Sequence, residues 1–362
     1  MTSPMRLVHA TEILERLPAA VSRLARIDAK RCTLPLFHDN DSEVFHETVV
    51  PDLASYKWIV INLSGGKDSE AMLFYVVSLA DALGVPRSRI VAVYADLGRV
   101  VWGQTREYAE AQAGMLGVRF EVVRREKGDL LEYVLDKNAR RRAEGKTGGK
   151  AVSWPSGGAR WCTSDLKISP VTTLITRLVN EADPAPDHRL CILNCVGIRA
   201  EESAKRKMKT VFAPDPANWR VTPLTAKPAR PATRTGPADP GREERKGIPH
   251  GRREVDRWLP VFHWTASEVW DEIRHSRLPW HWAYQYVDRV SCPMCFGAGF
   301  DNWALAAYLV PELAADYLDA EIRTGTTFTT AASMAQVIAA AKHLPPPLST
   351  LPWDRTTPVR RS

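Results

Sequence analysis

The sequence predicts an α/β fold, in which a doubly wound parallel sheet is followed by a Trp- and Cys-rich C-terminal helical segment. Two observations lead to this prediction. First, short runs rich in Ile and Val alternate with stretches of helical periodicity, and the runs cover residues 58–63, 89–96, 118–125 and 189–197. This alternation is typical of parallel strands that are buried on both faces and joined by helices. Second, Trp residues and a Cys-Pro-Met-Cys motif are concentrated between residues 258 and 300.

Helices are predicted between the strands from the spacing of apolar residues. After the first strand, Met72, Val76, Leu79 and Leu83 recur at helical spacing, so a helix follows that strand directly. A basic helical stretch and a Gly-rich loop follow the third strand. The other predicted helices cover residues 104–117, 168–180 and 267–274.

The composition along the chain predicts five segments. Between residues 213 and 257 the chain is rich in Pro, Gly and Arg and has little to bury, so a flexible insert is expected there. An N-terminal helical arm (residues 1–50) precedes a nucleotide-binding α/β domain (51–212) and the insert (213–257). A C-terminal segment that completes the site (258–330) and a tail with a disordered end (331–362) follow.

Composition and charge limit the function classes. The 362 residues contain no run that approaches the roughly 18 apolar residues needed to span a bilayer. The N-terminus lacks the apolar core of a signal peptide, so we expect a cytoplasmic protein without a membrane partner. The net charge of +7 fits an anionic partner such as a nucleotide or a nucleic acid. Because the basic residues are spread along the chain, an Arg-rich composition is the favoured explanation of the charge.

The motif Ser-Gly-Gly-Lys-Asp-Ser follows the first strand and opens the first helix. Glycines let backbone N–H groups approach a phosphate, and the helix N-terminus adds partial positive charge. Lysine supplies a full charge, and the serine hydroxyls can donate further hydrogen bonds. The spacing matches neither of two common phosphate motifs, G-x-x-x-x-G-K-[ST] and G-x-G-x-x-G. The alternative is a turn with an incidental lysine. We predict a phosphate site formed by Ser64, Gly65, Gly66, Lys67, Asp68 and Ser69.

This motif resembles the pyrophosphate-binding loop of the adenine nucleotide alpha-hydrolase superfamily, the PP-loop ATP pyrophosphatases. Four further segments resemble the PAPS reductase-like branch of this superfamily. Within that branch, the chain is similar to the DNA phosphorothioation-type sulfurtransferases. The four segments are YADLG with Asp96, RWCTSDLKISP at 160–170, GIRAEESAKR at 197–206, and LPWHWAYQYVDRVSCPMC at 278–295. The resemblance covers residues 58–300 in preserved order and implies the adenine nucleotide alpha-hydrolase fold.

The resemblance implies roles for particular residues. Ser64, Asp96 and Gly197 each follow a predicted parallel strand, at the sheet edge where ligands of open α/β sheets bind. Arg199 and Arg206 would offer guanidinium groups to a phosphate. Ion pairing of these arginines with the nearby glutamates is the alternative. The expected catalytic residues are Lys67, Asp68, Arg199 and Arg206, and the further nucleotide contacts are Asp96, Lys167, Gly197, Glu202 and Ser203.

Three cysteines are predicted to hold a metal centre. Cys292 and Cys295 form a CxxC pair with a spacing suited to one centre. The resemblance brings Cys162 beside this pair and implies a [4Fe–4S] cluster. APS reductases have two adjacent cysteines at the first position, whereas Thr163 stands second here. That departure leaves either an open iron position or a fourth ligand from elsewhere. Zinc is the competing metal, with His263 or His281 as its fourth ligand.

The remaining cysteines are predicted to fill the core. Cys191 and Cys195 lie four residues apart in an apolar strand, on the same face. Cysteines in such positions behave as small apolar residues. The same interpretation applies to Cys32.

Two reactions compete. In the first, ATP with Mg²⁺ is cleaved between the α- and β-phosphates, an acceptor is adenylated, and sulfur then displaces AMP. A desulfurase-type donor protein is expected for this reaction. The acceptor could be DNA, tRNA or a metabolite, with Arg140–Arg142 and the basic insert as candidate phosphate contacts. In the second, PAPS or APS is reduced and sulfite is released. The intact glycine loop and a closing segment without cysteine favour the first. A non-catalytic nucleotide sensor is the remaining alternative.

Overall fold

A computed structural model describes residues 7–8, 50–148, 152–184, 189–226, 243–249 and 252–346. Almost all of the predicted N-terminal helical arm, the end of the predicted tail and Cys32 lie outside these residues. A two-residue strand β1 (Leu7–Val8) pairs antiparallel with β2 (Val50–Pro51).

A six-stranded sheet forms the centre of the protein, in the order β5-β4-β3-β6-β10-β7. All neighbouring pairs are parallel except β10 and β7, which run antiparallel. The strands are β3 (Trp58–Asn62), β4 (Ile90–Asp96), β5 (Arg119–Arg124), β6 (Leu190–Val196), β7 (Phe212–Pro214) and β10 (Arg253–Trp258). The predicted parallel α/β sheet is therefore confirmed, with each of the four predicted strands within two residues of its expected bounds.

Helices cover both faces of the sheet. Along β3, Ile59 and Ile61 face one core while Val60 faces the other, as the two-residue period of a strand requires. The first face is covered by α1 (Lys67–Ala82), α2 (Thr105–Met115) and α5 (Ala266–Ser276), and the second by α4 (Ser169–Ala182). The sheet is doubly wound, as predicted.

A third hydrophobic core lies beyond the carboxyl ends of the strands. Trp154 stacks on Tyr317 with ring centres 5.6 Å apart, and Phe328 packs edge-on against both. The helices of this core are α3 (Leu130–Ala143), α6 (Phe300–Leu309), α7 (Pro311–Thr324) and α8 (Met334–Ala341). Helix α8 belongs to the stretch predicted as a tail, and its Met334 and Val337 side chains are fully buried. None of the helices in the described residues has the length and apolar character needed to cross a membrane.

The stretch predicted as a flexible insert, residues 213–257, contributes strands to the sheet at both of its ends. Strand β10 lies beside β6, with Trp258 opposite Cys195. Between the two ends, β8 (Trp219–Ala226) and β9 (Glu243–Pro249) form an antiparallel pair. The charged residues of β10 concealed the strand in the sequence because their partners are distant. Arg253 donates to the Thr176 hydroxyl at 2.5 Å, for example.

Candidate functional site

The candidate site lies where the strand order of the sheet reverses. From β3 the chain continues to β4 on one side, whereas from β6 it reaches β10 on the other. Connections that diverge from two adjacent parallel strands leave a crevice at the carboxyl edge of the sheet. Ser64 follows β3 and Gly197 follows β6, so both predicted residues lie at this crevice.

Hydrogen bonds within the glycine loop give it a defined shape. The Ser69 hydroxyl accepts a hydrogen bond from the Ser64 backbone N–H at 3.0 Å and donates to the Gly66 carbonyl at 2.8 Å. The Ser64 and Ser69 hydroxyl oxygens are 2.9 Å apart. Helix α1 begins at Lys67, directly after Gly66, and the Glu70 N–H donates to the Gly66 carbonyl. The two serines therefore brace the loop from inside.

Two glycines are required by close backbone contacts. Gly65 has a φ of +72°, and a Cβ there would lie 2.8 Å from the Thr105 methyl carbon. At Gly197 a Cβ would lie 3.1 Å from the Asp68 carbonyl oxygen. The end of β6 thus packs directly on the first turn of α1.

Lys67 is directed toward the C-terminal segment. Its ammonium group donates to the Asp288 carbonyl at 2.7 Å and lies 5.3 Å from the centre of the Tyr284 ring. Its backbone N–H donates to the Tyr284 hydroxyl at 2.6 Å. Burial lowers the pKa of the lysine. Contact of the Lys67 side chain with phosphate stays a prediction. In this structure Lys67 connects residues 284–288 to the glycine loop by hydrogen bonds.

Arg199 holds Asp68 at the start of α1. Arg199 as a whole is 5% exposed, and its Nε donates to an Asp68 carboxylate oxygen at 2.5 Å. Its Nη1 donates to the Trp264 carbonyl at 3.2 Å and pairs with Glu201. The ion pair with Glu201 that the sequence offered as the alternative is present, although this arginine is buried.

Arg206 belongs to a cluster of cations. It pairs with Glu202, whose other carboxylate oxygen lies 3.6 Å from Arg289. Burial lowers the pKa of Arg206 to about 10, and the charges of Arg289 and Arg160 act in the same direction. The Ser203 hydroxyl accepts from the Arg206 backbone N–H at 3.3 Å. Three arginines thus lie near one carboxylate, Glu202, and an anion would offset the remaining positive charge.

One pocket brings Ser64 of the glycine loop and the three predicted thiols together. This inner pocket has a volume of about 280 Å³ and lies at the carboxyl ends of β3 and β4. Its lining includes five of the predicted site residues, namely Ser64, Lys167, Cys162, Cys292 and Cys295. The lining includes Ala95 and Leu97 but not Asp96, whose carboxylate accepts from the Gly98 N–H at 2.8 Å and shapes the turn after β4.

The lining also includes polar residues that the sequence prediction did not name as site residues. Among them, Arg160 and Arg289 bring two cations to the inner pocket, and Asn62 contributes an amide. The Asn62 amide donates to Asn194 at 2.6 Å and to the Cys195 carbonyl at 2.9 Å. A polar residue at the end of an apolar strand was the available signal for Asn62. Arg160 stood inside a matched motif, whereas no pattern distinguished Arg289.

The three thiols influence one another electrostatically. Burial raises the pKa of Cys162, and it raises that of Cys292 to about 11. Cys295 raises both further, while the nearby Lys167 ammonium lowers both. The donor set suits a [4Fe–4S] cluster or zinc, since thiolates bind both. Within the part of the chain described, however, no three His, Cys, Asp or Glu side chains stand at metal-binding spacing.

The histidines offered as zinc ligands lie elsewhere. His281 is fully buried, its Nδ1 accepts from the Ala283 N–H at 3.1 Å, and its Nε2 lies 3.1 Å from the Thr105 hydroxyl. Burial lowers the pKa of His281 to about 4, so the ring is neutral. With both nitrogens engaged, His281 is not placed to complete a zinc site. His263 packs edge-on against Phe262 and is not part of the inner pocket lining.

The cysteines of β6 fill the core, as predicted. Cys195 is fully buried and belongs to the same cluster as Ile61, its neighbour on β3. Cys191 is half-buried and packs against that cluster. Burial raises the pKa of both thiols.

Comparison with known proteins assigns the family. Residues 58–298 match the family described as phosphoadenosine phosphosulfate reductase domain. The chain belongs to this family. The match begins at β3 and ends just after the CxxC pair, so the loop and all three thiols of the inner pocket lie within it. Family membership supports an enzyme that uses an adenine nucleotide. No curated protein matches the sequence.

Solved structures show only distant likeness. The FMN adenylyltransferase of Candida glabrata, in complex with FMN and the ATP analogue AMPCPP, is 12% identical; the alignment covers 77% of this chain and 67% of that one, with a TM-score of 0.36. The U34-tRNA thiolase NcsA of Methanococcus maripaludis with its [4Fe-4S] cluster is 12% identical over 82% and 76%, with a TM-score of 0.35. The NH3-dependent NAD synthetase of Campylobacter jejuni is 11% identical over 92% and 94%, with a TM-score of 0.30. At these TM-scores the likenesses carry no argument.

Proposed function

We propose that this protein cleaves ATP between the α- and β-phosphates to adenylate an acceptor, and then transfers sulfur to that acceptor. One observation carries the proposal: a single pocket is lined by Ser64 of the glycine loop and by Cys162, Cys292 and Cys295. A phosphate-binding loop and a set of thiols in one pocket are the two parts that activation and sulfur delivery require.

In the first step an acceptor oxygen attacks the α-phosphorus of ATP. The new P–O bond replaces the bond to the β-phosphate oxygen, and pyrophosphate leaves with the electron pair. The N-terminus of α1 and the loop amides of Gly65 and Gly66 would stabilise that leaving charge. Arg160 and Arg289 supply two further cations at the same pocket. Buried Arg199 positions the loop through Asp68.

In the second step a sulfur anion attacks the activated atom of the acceptor. A bond to sulfur forms, the bond to the adenylate oxygen breaks, and AMP leaves. A [4Fe–4S] cluster held by Cys162, Cys292 and Cys295 would supply an iron that carries sulfide, and zinc would instead supply a Lewis acid. Lys167 lies close enough to favour the thiolate forms of Cys162 and Cys292. The sulfur donor would be a desulfurase-type protein, and a nucleic acid is one acceptor class.

Reduction of PAPS or APS is the second candidate, and the family match favours it. Here a thiolate would attack the sulfur of the sulfonucleotide, and the nucleotide would leave from it. A second thiol would then displace sulfite and leave a disulfide, which an external dithiol would reduce. The same three cysteines would serve this reaction, so the substrate decides between the two candidates.

One assay separates the two candidates. Anaerobically purified protein is incubated with ATP or with PAPS, with and without tRNA or DNA and labelled sulfide, and pyrophosphate, AMP and sulfite are measured. We expect pyrophosphate and AMP from ATP, and no sulfite from PAPS. Sulfite from PAPS together with no pyrophosphate from ATP under any condition would instead establish the reductase. Cys195→Ala changes a core cysteine outside the inner pocket, so it controls for activity that is lost only because a cysteine substitution disturbs the fold.

A further inference from the structure

The loop Cys292–Cys295 separates two cavities. The inner pocket lies on its nucleotide side, and an outer cavity of about 230 Å³ lies on its other side. Successive residues of the loop face opposite sides, because Pro293 lines only the outer cavity and Met294 only the inner pocket. Cys292 and Cys295 line both. Cys162 differs from them, since it lines the inner pocket alone.

The outer cavity reaches the protein surface and carries a cation. Asp288, Arg289, Gly297 and Asn302 contribute exposed residues to its lining, and the Arg289 side chain is 57% exposed. The apolar part of the lining comes from Trp102, Val287, Pro293 and Ala298. The volume falls below the roughly 300–1,000 Å³ of pockets for drug-sized ligands, so the cavity suits a small solute.

We propose that the outer cavity admits a small anionic sulfur compound of the hydrosulfide class to Cys292 and Cys295 while a nucleotide fills the inner pocket. This inference rests on the proposed function, since it concerns how hydrosulfide released by the donor reaches the centre that Cys292 and Cys295 would hold, with no bond formed to either cysteine sulfur and no change in its oxidation state. A bound nucleotide would cover the inner faces of all three thiols and leave only the outer faces of Cys292 and Cys295 accessible. Arg289 lines both cavities, and its partner Glu202 is shared with Arg206. The exposed guanidinium therefore attracts an anion to the wall between them even though Asp288 also lines the outer cavity.

The rim of the outer cavity is fastened to the glycine loop. Asp288 lies in its lining, and the carbonyl of this residue accepts the hydrogen bond from the Lys67 ammonium. The backbone N–H of the same lysine donates to the Tyr284 hydroxyl. The rim of the outer cavity and the glycine loop are therefore joined by the hydrogen bond between Lys67 and Asp288, and Tyr284 adds a second contact beside it.

Thiol labelling tests the proposal without measuring activity. Chelator-treated protein, whose circular dichroism matches that of untreated protein, is reacted with methanethiosulfonates that carry either a sulfonate or a trimethylammonium group. Mass spectrometry follows each cysteine, with and without saturating nonhydrolysable ATP analogue. We expect the analogue to slow labelling of Cys162 several-fold and to leave Cys292 and Cys295 nearly unchanged. The anionic reagent should be the faster one at these two thiols, and Arg289→Gln should remove that preference.

A variant that fills the outer cavity provides the second arm. Asn302 is exposed, and its amide donates to the Ala298 carbonyl at 2.8 Å. Asn302→Trp should slow labelling of Cys292 and Cys295 several-fold with the analogue bound, and leave Cys162 labelling unchanged without it. Asn302→Ala removes the same hydrogen bond but adds no bulk, so labelling should remain at the wild-type rate.

The outcomes separate this inference from the proposed function. Equal protection of all three thiols by the analogue, together with no effect of Asn302→Trp, overturns the outer route. If the analogue protects no thiol, the nucleotide site of the proposed function is wrong. In that case slower labelling of Cys292 and Cys295 alone in Asn302→Trp still supports the route, and unchanged labelling still contradicts it.

Discussion

The glycine loop and the thiol loop face one pocket but are held in different ways. In the glycine loop, Ser64, Gly66 and Ser69 bond to one another, and the helix that follows begins within the same six residues. In the thiol loop, the Cys295 N–H donates to the Cys292 carbonyl at 3.0 Å. Two more local hydrogen bonds come from the Ala298 N–H, 2.9 Å from the Cys295 carbonyl, and from the Ser291 hydroxyl, 3.3 Å from the Cys292 carbonyl. A bond from outside the loop comes from the Trp303 indole of helix α6, 2.7 Å from the Cys295 carbonyl.

This difference shows which of the two loops a local change can alter. A loop braced by its own hydrogen bonds keeps its shape when its surroundings move. The thiol loop contacts helix α6 and follows residues 284–288 in the chain, so its position changes when either of them moves. The two loops are coupled through Lys67, Tyr284 and Asp288. A further link joins Thr105, which packs on Gly65, to His281.

The largest expected effect is the loss of metal from the thiol loop. Cys292→Ser should abolish stoichiometric binding of iron and acid-labile sulfide in anaerobically purified protein, because only two thiols of the inner pocket remain. Cys195→Ala should bind metal as the wild type does, since its side chain lies in the core. Iron, sulfide and zinc are measured together. Stoichiometric zinc without sulfide in the wild type would replace the cluster hypothesis with a zinc site.

A large loss of stability is expected when the glycine loop loses its buried arginine. Arg199→Ala leaves the Asp68 carboxylate without its partner, and removing one member of a buried ion pair costs about 3–5 kcal/mol. Arg274→Ala breaks an exposed pair with Asp271 and should cost about 1 kcal/mol or less. Urea unfolding measures both. A similar, small change in the two variants would contradict the positioning role of Arg199.

The link between the loops should make stability depend on pH. Burial lowers the pKa of His281 to about 4, from an ordinary value of 6.5. Between these pH values the unfolded chain binds a proton that the folded protein does not, so stability falls as the pH drops. The loss should total about 3 kcal/mol from this group.

Comparison with His281→Phe isolates this contribution. The free energy of unfolding is measured from pH 7 to pH 4 for both proteins, and the wild type should show the steeper fall. Parallel curves for the two proteins would show that His281 does not carry the dependence.

The smallest expected effect concerns the turn of the glycine loop. Gly65→Ala places a side chain in the left-handed region, at about 1–2 kcal/mol, and adds a clash with Thr105. Gly84 also has a positive φ, of +68°, but no atom lies within 4 Å of a Cβ there. Gly84→Ala therefore measures the backbone term alone, and Gly65→Ala should lower the melting temperature further. Equal shifts would show that the Thr105 contact is relieved at no cost.

Local patterns were sufficient for most of the sheet. The alternation of strands and helices predicted β3, β4 and β6, because parallel strands buried on both faces must be continuously apolar. Strand β5 was predicted from Phe120, Val122 and Val123, although it also carries charged residues and is only half-buried. Strand β10 escaped prediction because Arg253, Asp256 and Arg257 break that apolar run. The Asp256 carboxylate accepts from the Tyr56 hydroxyl at 3.0 Å, a partner 200 residues away.

The candidate site likewise has parts that local sequence patterns predicted and parts that they did not. By itself, the sequence determined the glycine loop, the strand before it, the helix after it and the CxxC pair, because each depends on residues that are adjacent in the chain. Cys162 was joined to that pair only through the family resemblance. Only the tertiary structure decided that Lys67 contacts Asp288, that Arg199 is buried against Asp68, and that Arg289 reaches the inner pocket. These contacts join segments far apart in the chain, and packing of the whole fold selects such partners.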